Sequence, residues 1–136
     1  MTMRLMTKEV EEKFREIGRQ EKAKDPIVVA KFFNPAGAGT WLATEMYYVV
    51  LQTDGNGGVF EQEIEASKWS GSIGGAIVDR LFYGFVSIFG DECDEWGYFS
   101  LAELQSVKGP LGIGIERDLY FEPQPISKVW PKAIGW

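Results

Sequence analysis

Histidine is absent from the 136 residues. Without imidazole there is no Ser-His-Asp or Cys-His arrangement, no imidazole general base and no zinc site with histidine ligands. Cysteine is nearly absent. Cys93 stands alone, so it makes no intrachain disulfide and builds no cysteine metal cage. It sits in Asp91-Glu92-Cys93-Asp94-Glu95, where four carboxylates disfavour the thiolate, so it is a poor nucleophile. Long apolar runs are missing too: none approaches the ~20 residues that span a bilayer. Met1 to Thr7 leads straight into Lys8 and Glu9 with no apolar signal region, so a cytoplasmic location without membrane attachment is expected. Bases are outnumbered, 14 against 20 acids, giving a net charge of −6. A field of that sign repels phosphate backbones and favours basic protein surfaces, so direct nucleic-acid binding is not expected.

What is present is globular. The hydrophobic fraction is 45% and the aromatic fraction 14%, and the length suits one domain over residues 1–136. Thr7 is placed to cap a helix in which Val10, Phe14 and Ile17 recur at helical spacing, with Gly18 as its stop. Arg19 to Lys24 reads as a linker or helix extension, ended by Asp25-Pro26. Strands are predicted at Ile27–Phe33, Thr40 to about Leu51, Val59 to about Ile64, Trp96–Phe99 and Asp118–Phe121. The near-continuous apolar run Leu81–Phe89 is expected to be the central strand, and Ser67–Val78 a loop or irregular helix. Ser100 and Glu103 form a capping box that opens a short helix near residues 100–107, with Leu101 and Leu104 inward. Consecutive strands with helices at the ends point to an α+β fold, mostly an antiparallel sheet. Beyond Pro123 a tail rich in proline carries Trp130 and Trp136, which either pack back on the domain or serve an interface such as a homodimer.

Each motif that invites a chemical reading fails at a named position. Asp54-Gly55-Asn56-Gly57-Gly58 starts like a calcium loop with Glu65 at the twelfth place. The fifth position is Gly58 and the sixth Val59, so a hairpin turn is expected. Gly71-Ser72-Ile73-Gly74-Gly75 lacks the lysine of a phosphate loop, and Gly112-Ile113-Gly114 lacks the third glycine of a dinucleotide fingerprint. No cofactor, no resident metal and no catalytic residue is assigned. The charged groups that remain fall in two sets. Glu61, Glu63 and Glu65 alternate on one strand face and, with Asp91, Glu92, Asp94 and Glu95, are the contacts expected for a basic partner. Arg117, between Glu116 and Asp118, either binds an anion or forms a structural ion pair with those acids or the Asp91–Glu95 loop.

Several blocks together resemble a known family. Asp25-Pro26-Ile27-Val28 through Lys31-Phe32-Phe33, Thr40-Trp41-Leu42-Ala43-Thr44-Glu45 and Leu81-Phe82-Tyr83-Gly84-Phe85-Val86 form the first part. Glu95-Trp96-Gly97-Tyr98-Phe99-Ser100-Leu101-Ala102-Glu103-Leu104, Gly109-Pro110-Leu111-Gly112 and Ile115 through Phe121 complete it. In order and chemistry these resemble the bacterial family "domain of unknown function 2958", from Thr7 to about Pro123. The segment Met46–Asp79 and the tail depart from it. The resemblance implies no transferable activity; it implies carriage on plasmids, phages and integrated elements among genes that counter host defences. The resulting expectation is a non-enzymatic acidic binding protein that inhibits a host nucleic-acid-targeting complex (anti-CRISPR or anti-restriction) by occupying its basic surface. The alternative is a small carboxylate and arginine enzyme or ligand-binding domain, with or without a divalent ion.

Overall fold

The computed structural model describes residues 4–70, 75–89 and 93–135. Helix α1 (Lys8–Ile17) begins where Thr7 Oγ1 accepts the Val10 N–H at 3.3 Å, and ends at Gly18, whose positive φ closes the last turn. The strands that follow are β1 (Ile27–Val28), β2 (Ala30–Phe33), β3 (Thr40–Thr53), β4 (Val59–Glu65), β5 (Ala76–Ser87) and β6 (Glu95–Ser100). Helix α2 (Leu101–Ser106) starts at the expected cap, with Ser100 Oγ accepting the Glu103 N–H at 3.0 Å. Then come β7 (Glu116–Arg117), β8 (Gln124–Pro125) and α3 (Ile126–Val129). Every pairing is antiparallel, in an α+β arrangement.

The six-stranded sheet runs β6-β5-β3-β2-β7, with β4 also paired to β3. β3 is long enough to serve β2 with its first residues and β4 with its last, both on the edge opposite β5. The hub is therefore β3, and not Leu81–Phe89 as its apolarity suggested. β5 begins at Ala76, inside the expected loop, because its backbone extends the ladder along β3; Ile88 and Phe89 lie beyond it, exposed. Ile27–Phe33 is two strands. At Val29 the chain donates to the Ala43 carbonyl at 2.8 Å, and the residues before it leave the main sheet to pair with β8. The strand expected at Asp118–Phe121 is displaced to Glu116–Arg117. Asp118 accepts the Tyr120 N–H on its side chain and the Phe121 N–H on its carbonyl, which folds that segment into a turn. Asp54–Gly58 is the expected hairpin turn, with Asp54 Oδ1 accepting from Asn56 and Gly58 and positive φ at Gly55 and Gly57.

One irregularity decides which side chains face where. Ala43 lies opposite Gly84 and Glu45 opposite Tyr83, so Thr44 is an extra residue, a β-bulge. A one-residue shift exchanges the two faces of a strand. Trp41 and Ala43 before the bulge, and Met46, Tyr48 and Val50 after it, all enter the main core with Phe32, Phe82, Phe99 and the α1 residues Val10 and Phe14. The opposite face carries Leu42, then Glu45 and Tyr47. Part of that face is covered by the tail, where Ile126 is buried against Val28, Leu42 and Phe85 and Trp130 packs on Phe85. The tail thus returns to its own domain; Trp136 lies outside the described residues.

Candidate binding cleft and acidic sheet face

The uncovered part of the second face holds the site. Cross-strand partners in a ladder lie on the same face, so register places its members. Glu45 lies opposite Tyr83, and Tyr83 opposite Tyr98; Tyr47 lies opposite Glu65, Val49 opposite Glu63, and Leu51 opposite Glu61. One continuous surface therefore runs from a group of tyrosines to a row of glutamates.

At its tyrosine end this surface becomes a cleft of about 440 Å³, walled by the Arg19–Pro26 segment and by Ile134 of the tail. On its floor is Glu45, only 5% exposed. The bulge at Thr44 holds it there. Thr44 Oγ1 donates to the Tyr83 carbonyl at 3.1 Å, and the Thr44 carbonyl accepts from Gln20 Nε2 at 2.8 Å. Gln20 also bonds both polar backbone atoms of Ile27, which pins the wall to the sheet. The Glu45 carboxylate accepts the Gln20 N–H at 3.0 Å on one oxygen and the Tyr47 hydroxyl at 2.7 Å on the other. Around it stand Tyr83, stacked on Trp96 at 5.9 Å and meeting Tyr98 edge-on at 5.0 Å, with Tyr47 6.5 Å from Tyr98. Trp96 is oriented by its indole N–H, which donates to the Ala133 carbonyl at 2.9 Å.

Burial pushes the Tyr47 hydroxyl well above the ordinary tyrosine range, and donating to the Glu45 carboxylate raises it further. Burial also raises Tyr83, with the neighbouring Tyr98 and Glu45 adding to the shift. Arg19 is raised, first by Tyr47 and then by Glu21, with which it pairs. The sign of the resulting pH dependence follows. A tyrosine whose proton is held more tightly in the folded state stabilises fully below the unfolded value of about 10, and that contribution is lost as pH rises above it. The unfolding midpoint in urea should therefore fall as pH rises above about 10. The fall should be shallower in Tyr47→Phe; equal slopes would show that Tyr47 carries none of it.

The expected acidic contacts fare differently. Glu61 and Glu63 are exposed. Glu65 is on the same face, but its side chain is mostly covered and already paired with Arg19 at 3.4 Å and Lys68 at 3.2 Å. Asp91 and Glu92 lie outside the described residues; Asp94 precedes β6 and Glu95 opens it, exposed. Cys93 is exposed. Among the described residues no group of three or more Cys, Asp or Glu is assembled to hold a metal ion, and no helix among them is long and apolar enough to cross a membrane. Arg117 joins elements. Its Nε donates to the Leu5 carbonyl at 2.9 Å, and burial lowers its pKa, with Glu9 opposing. Asp118 pairs with Lys31 at 3.8 Å, while Glu116 lies opposite Phe33 on β2.

Sequence reading passed over the cleft because its residues looked like core. Tyr98 is in fact 62% exposed. A signal existed: apolar spacing of two at Trp41 and Ala43 becomes three before Met46, which marks the bulge and turns Glu45 and Tyr47 away from the core.

The family described as "protein of unknown function" (DUF2958) matches the chain over residues 5–54 and 75–134. The unmatched internal stretch is thus 55–74, narrower than the departure expected over Met46–Asp79, and the match takes in the tail as far as residue 134. No curated protein and no solved structure matches the chain.

Proposed function

From the premise that this chain belongs to the DUF2958 family, we propose that it is a non-enzymatic binding protein that docks a basic protein surface on the open face of its sheet. One observation carries the reading. The β3–β4 register sets exposed Glu61 and Glu63 beside Leu51 and Val49, on the face that also bears Tyr47, Tyr83 and Tyr98. Aromatic and aliphatic area edged by carboxylates is the composition of a docking surface whose rim selects for positive charge. A net charge of −6 steers the same class of partner from a distance. The setting proposed with it is that of a mobile-element product which blocks a host nucleic-acid-targeting complex, anti-CRISPR or anti-restriction in kind. Its carboxylates would stand where phosphates otherwise bind.

The test is affinity capture from the host, followed by titration of the retained complex. Binding should weaken with added salt and by at least about tenfold in the double variant Glu61→Lys, Glu63→Lys. The saturated complex should lose its grip on nucleic acid. Equal binding by wild type and double variant, or nucleic acid still held at saturation, would overturn the reading.

A further inference from the structure

Glu45 is a buried carboxylate whose charge no neighbour balances at contact distance. Among the described residues no Lys or Arg nitrogen lies within 4.0 Å of its oxygens. Arg19, in the wall, makes its ion pairs with Glu21 and Glu65 and acts on Glu45 from beyond that distance. A buried charge without a partner is costly, and removal from water is tolerated only where something else answers it. Two hydrogen bonds do so in part. A carboxylate offers about four acceptor sites, and Gln20 and Tyr47 fill one on each oxygen. The cleft lies over what remains.

The walls repeat the preference of the floor. Aromatic rings present negative faces, and an ammonium or guanidinium within about 6 Å of a ring centre is attracted to them. Tyr47, Tyr83, Trp96 and Tyr98 line the cleft with Glu45. Arg19 acts on the Tyr47 hydroxyl from the wall, but among the described residues no cation is seated over any of the four rings; the two cation–π pairs both belong to Tyr48, on the other side of the sheet. An anionic ligand would meet the carboxylate and the ring faces together. The remaining basic group of the lining, Lys24, is exposed. The protein's own treatment of Tyr48 shows the chemistry at work, since Arg15 and Arg80 lie 6.0 and 5.7 Å from that ring and both are tied to the Tyr48–Glu11 hydroxyl–carboxylate pair. The cleft holds the corresponding pair, Tyr47 and Glu45, with Arg19 in its wall and open volume beside it.

We propose that the cleft floored by Glu45 and walled by Tyr47, Tyr83, Trp96 and Tyr98 is a socket for a cationic headgroup, the guanidinium or ammonium of a basic side chain. This deepens the docking reading above and rests on it for the source of the side chain. The volume of about 440 Å³ admits a guanidinium with its alkyl stem. The socket opens on the same face as Glu61 and Glu63, so one residue of a basic partner would be seated while its neighbours meet the acidic row.

Titration of the full chain, followed by NMR, tests this with arginine amide and tetramethylammonium as cations and AMP as the anionic, stackable control. Saturable shifts are expected at the Trp96 indole N–H and at Tyr83 and Tyr98 with the cations and not with AMP. They should weaken at least about fivefold in Tyr98→Ala, a substitution at an exposed position that leaves the fold intact, and again in Glu45→Gln. A tetra-arginine peptide should bind more tightly than arginine amide, and Glu61→Lys, Glu63→Lys should erase that gain if the cation belongs to a protein. A free small cation as the ligand would show no gain. No saturable cation shift, shifts from AMP at the same residues, or full binding by both variants would overturn the socket. Cation binding in a protein whose partner capture ignores Glu61 and Glu63 would overturn the docking surface and leave the socket standing. Partner capture that depends on those glutamates, with no cation shift, would do the reverse.

Discussion

Gly84→Ala is expected to destabilise the fold by about 3 kcal/mol or more and to remove cation binding in the cleft. Gly84 lies on β5 directly opposite Ala43, the last residue before the bulge. A Cβ there would stand 1.9 Å from the Leu42 carbonyl oxygen and 2.8 Å from its carbon. Both are backbone atoms of the neighbouring strand, so no rotamer change relieves the overlap; the strands must separate. They would separate where β3 has just spent an extra residue to turn Glu45 outward, and where Thr44 reaches the Tyr83 carbonyl. The damage is therefore both to stability and to the position of the floor carboxylate. Urea unfolding measures the first, and arginine amide titration under folding conditions measures the second. A midpoint within error of wild type would mean that the sheet yields at this point and that the bulge is not a rigid support.

How much of this was legible in the sequence depended on how local the cause was. The α1 and α2 caps were legible because Thr7 and Ser100 bond amides only three residues away. The Asp54–Gly58 turn was legible because Asp54 organises its own loop. The main sheet's hub was not. Leu81–Phe89 is the more apolar run and falls mostly in β5, itself paired on both edges, but β3 carries three partners, β2, β4 and β5, against the two of β5, which is a property of pairings far apart in the chain. β7 was misplaced by two residues because Tyr120 and Phe121 look strand-like, while the local bonds of Asp118 turn the chain there. The acidic row was half legible. Alternation put Glu61, Glu63 and Glu65 on one face, but only the fold brings Arg19 and Lys68 to Glu65 and takes it out of the open surface. The cleft was hidden for the opposite reason. Aromatic residues read as core, and a glutamate within a strand carries no mark of being buried.

Ile126→Ala should cost about 2–4 kcal/mol, although it lies in a tail that an isolated reading of the sequence leaves without a home. Ile126 is fully buried, closed in by Val28, Leu42 and Phe85, so truncation leaves a cavity among strand residues that cannot collapse far. The attachment is also polar. Asp25 accepts the Ser127 N–H at 3.0 Å and its hydroxyl at 2.6 Å, capping α3 from the far end of the chain, and the Ile126 N–H donates to the Pro26 carbonyl at 2.9 Å. Asp25→Ala should then cost a further ~1 kcal/mol by releasing that cap. Because Ile134 lines the cleft and the Ala133 carbonyl holds the Trp96 indole, loosening the tail also loosens one wall of the socket. Ile126→Ala should accordingly weaken arginine amide binding even at temperatures where the chain stays folded, whereas a somewhat smaller cavity on the α1 side, Val10→Ala, should lower stability and leave that affinity alone. Equal effects of the two substitutions on cation affinity would mean that the tail supports the domain as a whole and has no particular hold on the cleft.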